Sequence, residues 1–397
     1  MLTIEKIKDA SKVLSSTVRK TDLIHSPALS DGCEVYIKSE NLQVTGSFKV
    51  RGASYKIASL SEEEKKKGVI ACSAGNHAQG VALAAKKYGI RATICIPEGA
   101  PMSKVAATRS YGANVVLVKG VYDDAYAKAC QLQKEENLTF VHPFDDEDVI
   151  AGQGTIGLEI LEQLPDVDAV IVPIGGGGLI SGVSYAIKHL KPSCKVYGVQ
   201  AAGAPSMYNS IHHRAIEELE SVSTIADGIA VKKPGELTFD CCTKYVDEII
   251  TVTDDEIATA ILTLMEKQKM ISEGAGATTV AAVLFHKLNL RGKKVVCLVS
   301  GGNIDVNILS RVVNKGLAKS GRLLEFTTEV LDKPGQLMRL MNLISDGGAN
   351  IMSINHDRNN PDTPVGKCIV DFVVETQNQE HADHLLETLR QNGYPVE

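Results

Sequence analysis

Val170-Ile171-Val172-Pro173-Ile174-Gly175-Gly176-Gly177-Gly178-Leu179-Ile180-Ser181-Gly182 decides the fold. A short apolar run, four glycines and a helical period follow one another within a few residues. The stretch Ala169 to Ile187 carries no charge and approaches membrane length. Pro173 and the glycines would break a spanning helix, so it reads as strand, loop and helix. The same alternation recurs outward in both directions. Val35–Lys38, Val69–Cys72, Thr93–Ile96, Val115–Val118, Val196–Val199 and Val295–Val299 read as buried strands. His77–Tyr88, Ser103–Tyr111, Asp123–Glu135 and Ile180–His189 read as helices between them. Repeated strand–helix units imply an α/β fold, with helices on both faces of a mostly parallel sheet. Two such blocks meet near Pro143–Gly152, the smaller covering roughly residues 50–145.

With 397 residues, more than one domain is expected. The catalytic region is read as residues 1–314. Lys315 to Arg322 is small, polar and Gly-containing, so 315–321 reads as a linker. Residues 322–397 then read as strand (Leu323–Leu331), turn (Asp332–Gly335), helix (Gln336–Asp346), strand (Asn350–Asp357), strand (Lys367–Thr376) and helix (Glu380–Asn392). Tyr394–Val396 reads as a last strand.

Net charge is −6, and the Lys and Arg residues are dispersed. No basic stripe suits nucleic acid, and no polybasic run suits a membrane surface. The nine cysteines form no C-x-x-C pair, so neither a zinc site nor a dithiol is indicated. Their odd number and a charged N-terminus without an apolar segment point to reduced thiols and a cytoplasmic setting.

Three loops between strand and helix offer chemistry, because ligands in open α/β sheets bind at strand carboxyl ends. Ser73-Ala74-Gly75-Asn76-His77 opens a helix, whose free N–H groups and dipole suit a carboxylate. The alternative is that Ser73 or Asn76 merely caps that helix. Gly175–Leu179 lets the backbone close on a phosphate. A dinucleotide fingerprint fails, since Ser181 stands where its last Gly belongs and the next strand ends at Gln200. Ser300-Gly301-Gly302-Asn303 is either a turn or a pocket floor that presents Ser300. Lys49, in a stretch poor in acids, is a candidate nucleophile if partly desolvated. The alternative for any single lysine is a solvated surface position.

Six motifs occur in one order: Ser47-Phe48-Lys49-Val50-Arg51-Gly52-Ala53, Ser73–Gly80, His142-Pro143-Phe144-Asp145-Asp146, Ala151-Gly152-Gln153-Gly154-Thr155, Gly175–Leu179 and Ser300–Asn303. Together they resemble the fold-type II pyridoxal-phosphate enzymes, and among them the serine/threonine dehydratases. The resemblance implies two three-layer α/β domains and pyridoxal 5'-phosphate as cofactor. It implies that Lys49 holds the cofactor as a Schiff base beside Phe48. Asn76 would bond the ring oxygen, Gly175, Gly176, Gly177, Gly178 and Leu179 the phosphate, and Ser300 the ring nitrogen. Ser73, Ala74, Gly75 and His77 would grip the substrate carboxylate, and Glu273 would lie near the ring. The implied reaction is a carbon–nitrogen lyase step. L-threonine gives 2-oxobutanoate and ammonia, L-serine gives pyruvate, and Lys49 takes the α-proton.

Serine racemases carry a second serine where Ala74 stands, so racemisation is expected to be minor here. Their acidic metal ligands have no counterpart at Gln200, Ala201 or Ala204, so no metal is expected there. Serine-specific dehydration, serine racemisation and β-replacement on the same scaffold are rival reactions. A non-catalytic amino-acid sensor is the rival from another class. The segment 322–397 resembles an ACT domain, a βαββαβ amino-acid-sensing module. The resemblance implies a homodimer or homotetramer. It also implies an isoleucine or valine effector at Pro334, Gly335, Gln336, Leu337 and Asn350. An oligomerisation domain without ligand is the alternative.

Overall fold

The computed structural model describes residues 2–359 and 361–396. The chain divides into two compact units, Met1–Asp305 and Val306–Glu397. In the first, a six-stranded sheet runs in the order Leu23–His25, Glu34–Ser39, Lys294–Val299, Ala169–Pro173, Lys195–Ala201, Glu248–Val252. All its pairings are parallel except that of the edge strand Leu23–His25, which is antiparallel to Glu34–Ser39. A second, four-stranded sheet is wholly parallel: Asn114–Val118, Ala92–Pro97, Val69–Cys72, Thr139–Phe140. The expected mostly parallel α/β architecture is present, and each valine-rich run lies within a strand. The two blocks are not consecutive pieces of chain, because Glu34–Ser39 joins strands that follow residue 169. Leu23–His25, Thr139–Phe140 and Glu248–Val252 are strands that the periodicity did not reveal. They are short or at sheet edges, where burial imposes little pattern.

The helices Lys49–Ala58, Glu147–Gln163 and Gly178–Leu190 pack closely through glycine. A Cβ on Gly182 would overlap the Ile150 carbonyl oxygen. One on Gly152 would stand 2.7 Å from the Arg51 carbonyl oxygen, and one on Gly157 2.9 Å from Ala186 Cβ. Glycine inside a helix costs about 1 kcal/mol relative to alanine. Here the loss is offset by backbones that approach one another directly, which explains the spacing in Ala151–Thr155.

Under Lys49 lies a buried charge network. Arg51 donates to both Glu40 oxygens at 2.8 Å each and to Glu159 at 2.6 and 3.0 Å. Lys38 donates to Glu159 at 2.6 Å, to the Thr21 carbonyl at 2.6 Å and to Gln163 at 3.0 Å. Arg51, Lys38 and Glu40 are fully buried. Burial alone would raise the Glu40 pKa, but the Arg51 charge and hydrogen bonds outweigh it and hold the carboxylate below its usual range. For Lys38, desolvation wins over Glu159 and lowers the pKa.

In the second unit the helix Val306–Lys319 precedes a three-stranded antiparallel sheet, ordered Leu323–Leu331, Lys367–Glu375, Asn350–Asp357. Helices Gln336–Asp346 and Gln379–Gln391 complete a βαββα run. Cys368, Val370, Phe372 and Val374 alternate inward along one strand and meet Leu340 and Leu389. The expected last strand at Tyr394–Val396 is reduced to one bridge, Val396 to Thr328. The expected linker 315–321 is corrected as well. Residues through Lys319 continue the helix that begins at Val306, because Leu309, Val312 and Leu317 maintain an apolar stripe across the small polar residues.

Replacing Arg51 by Ala would leave Glu40 charged and unpaired in the interior. A loss of about 3–5 kcal/mol is expected. Chemical denaturation measures it, and a change below 1 kcal/mol would show that the network does not stabilise the fold.

Candidate active site

Lys49 opens its helix, and the loop before it is stitched to the loop after Lys294–Val299. Phe48 N donates to the Ser300 carbonyl at 3.0 Å, and Ser47 bridges Gly301. The Lys49 ammonium donates to the Pro143 carbonyl at 2.8 Å and lies 5.3 Å from the centre of the Phe48 ring. Lys49 keeps some solvent contact, yet protein crowds it. Desolvation lowers its pKa to about 8, against the opposing pull of the Glu273 charge.

Pro143 leads to Phe144, and Phe144 packs on the tetraglycine. A Cβ at Gly178 would stand 2.8 Å from Phe144 Cα. Thr238 Oγ1 donates to the Gly176 carbonyl at 2.6 Å, and Gly177 adopts φ +96°, where a Cβ would also meet Thr238. The bend therefore serves packing as well as access. Its carbonyl is tied back and the helix starts at Gly178. The amides of Gly178, Leu179 and Ile180 are left without intrahelical acceptors, a cradle suited to a phosphate.

Ser73-Ala74-Gly75 follow a strand end and precede the helix Asn76–Lys87. Among the described residues, no side-chain cap closes this helix, and Asn76 Oδ1 is turned to Asn303 instead. Ser73 Oγ accepts from Gly75 N at 3.2 Å. Gly75 faces open space, since a Cβ there would meet no atom within 4 Å. The His77 imidazole points inward, with Nε2 2.9 Å from the Val141 carbonyl. Burial, then the nearby Lys49 charge, push its pKa down to about 3. Only the backbone N–H of His77 is placed to meet a carboxylate, and its ring remains neutral.

Asn76 Nδ2 donates to both Glu273 oxygens, at 2.8 and 2.9 Å, and its Oδ1 accepts from Asn303 Nδ2 at 2.8 Å. Burial raises the Glu273 pKa to about 7, despite the Asn76 hydrogen bonds. Ser300 is buried at the end of its strand. Gln200 donates to the Ile174 carbonyl at 3.3 Å and accepts from Tyr208 N at 2.7 Å, inside the fold.

Contacts thus bring Lys49, Phe48, Asn76, Glu273, Gly175–Leu179 and Ser300 to one region, with Ser73–His77 along its edge. Buried amine, amide cradle and hydroxyl fit the reactive aldehyde, phosphate and ring nitrogen of pyridoxal 5'-phosphate. Pro143, Phe144, Thr238 and Asn303 shape the site without having been assigned roles from sequence. His142–Asp146 and Ser300–Asn303 were the available signals for Pro143, Phe144 and Asn303. The effector set divides in the second unit. Gly335 caps Gln336–Asp346 at one end of the sheet. Asn350 pairs opposite Glu375 at the other end and donates to its side chain at 2.8 Å. Antiparallel register separates Asn350 from Pro334, Gly335, Gln336 and Leu337 within one copy.

The family model for pyridoxal-phosphate dependent enzymes matches residues 14–301. An L-threonine ammonia-lyase of Thermotoga maritima is 53% identical over 398 residues, covering 100% of this chain and 99% of that protein. The structure of a processed threonine deaminase isoform from Solanum lycopersicum aligns with TM-score 0.75 and 39% identity, over 78% of this chain and 87% of that one. Maize serine racemase aligns with TM-score 0.75 and 37% identity, over 80% of this chain and 98% of that one. With its amine, cradle and ring-facing loops assembled in this way, the chain belongs to the pyridoxal-phosphate-dependent enzyme family.

Proposed function

We propose that the chain is an L-threonine ammonia-lyase that converts L-threonine to 2-oxobutanoate and ammonia, and L-serine to pyruvate. The observation that carries the reading is the desolvated Lys49 amine, set between a phosphate cradle and a carboxylate-binding helix start. Full-length identity to an L-threonine ammonia-lyase supports the choice of substrate. Lys49 and Phe48 would hold the cofactor with Gly175–Leu179, Asn76 and Ser300. When bound, the cofactor supplies an electron sink that acidifies the α-carbon of an amino acid attached to it.

The protein's own residues do the rest. Amides of Ala74 to His77, with the Ser73 hydroxyl, orient the carboxylate. Nζ of Lys49 takes the α-proton, since a pKa near 8 leaves about a tenth of the amine neutral at pH 7, against less than about a thousandth at its ordinary value. Ala74 offers no acid on the opposite face of the α-carbon, which favours elimination over racemisation. One methyl group is worth only about 1–3 kcal/mol of discrimination, so turnover of serine beside threonine is compatible with the site.

The second unit is proposed to be an ACT-like regulatory module in a cytoplasmic homo-oligomer. Its βαββα order with a Val396 bridge supports that reading. Isoleucine or valine is the effector class. Among the described residues, no helix is long and apolar enough to cross a membrane.

Four measurements test this reading. Lys49→Ala should lose ketoacid production from threonine by several orders of magnitude and lose borohydride labelling at that position. Undiminished turnover would refute the assignment. Capture of the cofactor by apoprotein requires a neutral amine, so its rate should rise with pH through a midpoint near 8 instead of near 10.4. Glu273→Gln removes the anion that raises this pKa, so the midpoint should move to lower pH. An unchanged midpoint would separate Glu273 from Lys49. Ketoacid production at several threonine concentrations should change on addition of isoleucine or valine, and identical curves would remove the effector reading.

A further inference from the structure

The second unit holds a cluster unrelated to the catalytic chemistry. Asp332, His356 and Cys368 each bring one donor atom within 4.8 Å of the others. They come from three segments that the sheet register gathers at one end. Asp332 follows the strand Leu323–Leu331, His356 nearly ends Asn350–Asp357, and Cys368 nearly begins Lys367–Glu375. His356 Nε2 already stands 3.0 Å from Cys368 Sγ. Asp332 N donates to the Gly366 carbonyl at 2.9 Å, which fixes the acid's turn to the segment leading into Cys368. Cys368 is buried, Asp332 half-buried and His356 exposed, so the approach from solvent runs past the imidazole.

We propose that Asp332, His356 and Cys368 form a binding site for a divalent cation of the zinc type, with water or an exogenous donor as fourth ligand. Thiolate and imidazole select zinc, cobalt or copper over magnesium and calcium, which take oxygen. Bonds of about 2.3 Å to sulfur and about 2.0–2.1 Å to nitrogen place those two atoms about 3.5 Å apart in a tetrahedron. The imidazole therefore retreats by about half an ångström, within reach of an exposed side chain. Coordination releases the Cys368 thiol proton to solvent. Arg358 is the built-in competitor: its Nε donates to both Asp332 oxygens at 3.1 Å. Metal binding frees that guanidinium from the turn that precedes Gln336–Asp346. None of this depends on the reading of the catalytic unit.

The test is a Co2+ titration of chelator-treated holoenzyme, recorded as difference spectra against the same metal-free sample. One equivalent should give the visible bands of four-coordinate cobalt and a near-ultraviolet thiolate-to-cobalt band, both bleached by Zn2+. Cys368→Ser should abolish the thiolate band. His356→Ala, at an exposed position that spares the core, should weaken Co2+ binding at least tenfold. Absence of a thiolate band in the wild type, its survival in Cys368→Ser, or an unchanged Kd in His356→Ala would each overturn the proposal.

Discussion

The guanidinium of Arg51, clamped between Glu40 and Glu159, is the constraint on which the catalytic unit is built. Arg51 is two residues beyond Lys49 and shares its helix. Glu40 follows the strand Glu34–Ser39 of the larger sheet, and Glu159 lies on the helix Glu147–Gln163. Charges this deep tolerate little displacement, because both carboxylates share the same guanidinium. The network therefore transmits the position of the large sheet to the reactive amine. Lys38 adds a second cation to Glu159, so two positive and two negative groups close into a set without net charge.

Glycine supplies a second, steric constraint that works with the first. Gly152 and Gly182 let three helices approach at backbone distance, and Gly177 turns the chain between Thr238 and the helix start. Rigid helix contacts hold the cradle, while the Ser73–His77 edge stays open at Gly75. A site so arranged is closely packed at the tetraglycine bend and open to solvent at Gly75.

Much of this was legible in the sequence, and the reasons differ by element. Buried parallel strands announced themselves as valine and isoleucine runs, because both faces are covered. The short edge strands did not, since half-exposed backbone accepts almost any residue. Composition at Lys315–Lys319 pointed to a linker, but an apolar stripe of helical period prevailed. Lys49 could not be distinguished from a surface lysine by its neighbours. Its surroundings include Pro143 and Phe48, with the Glu273 charge nearby, and of these only Phe48 adjoins it in sequence. The Arg51 network was invisible for the same reason: Glu40 and Glu159 are 11 and 108 residues away. Asn350 was grouped with the turn at Pro334–Leu337 by a sequence match, and within one copy antiparallel register sets the two at opposite ends of the sheet.

The electrostatics of Lys49 and Glu273 explain why protein crowds both. An amine at its ordinary pKa would be almost wholly protonated at neutral pH, unable to attack an aldehyde or take a proton. A fully apolar pocket would push it too far and leave no tendency to hold a proton once taken. Burial lowers Lys49 while the Glu273 charge raises it, and the balance falls at about 8. Glu273 is itself held near 7, because burial opposes its ionisation and Asn76 favours it. Each group thus limits the excursion of the other. Burial is the largest influence on both groups, and the charge of each opposes it at the other: Glu273 raises the Lys49 pKa and Lys49, more weakly than Asn76, lowers that of Glu273.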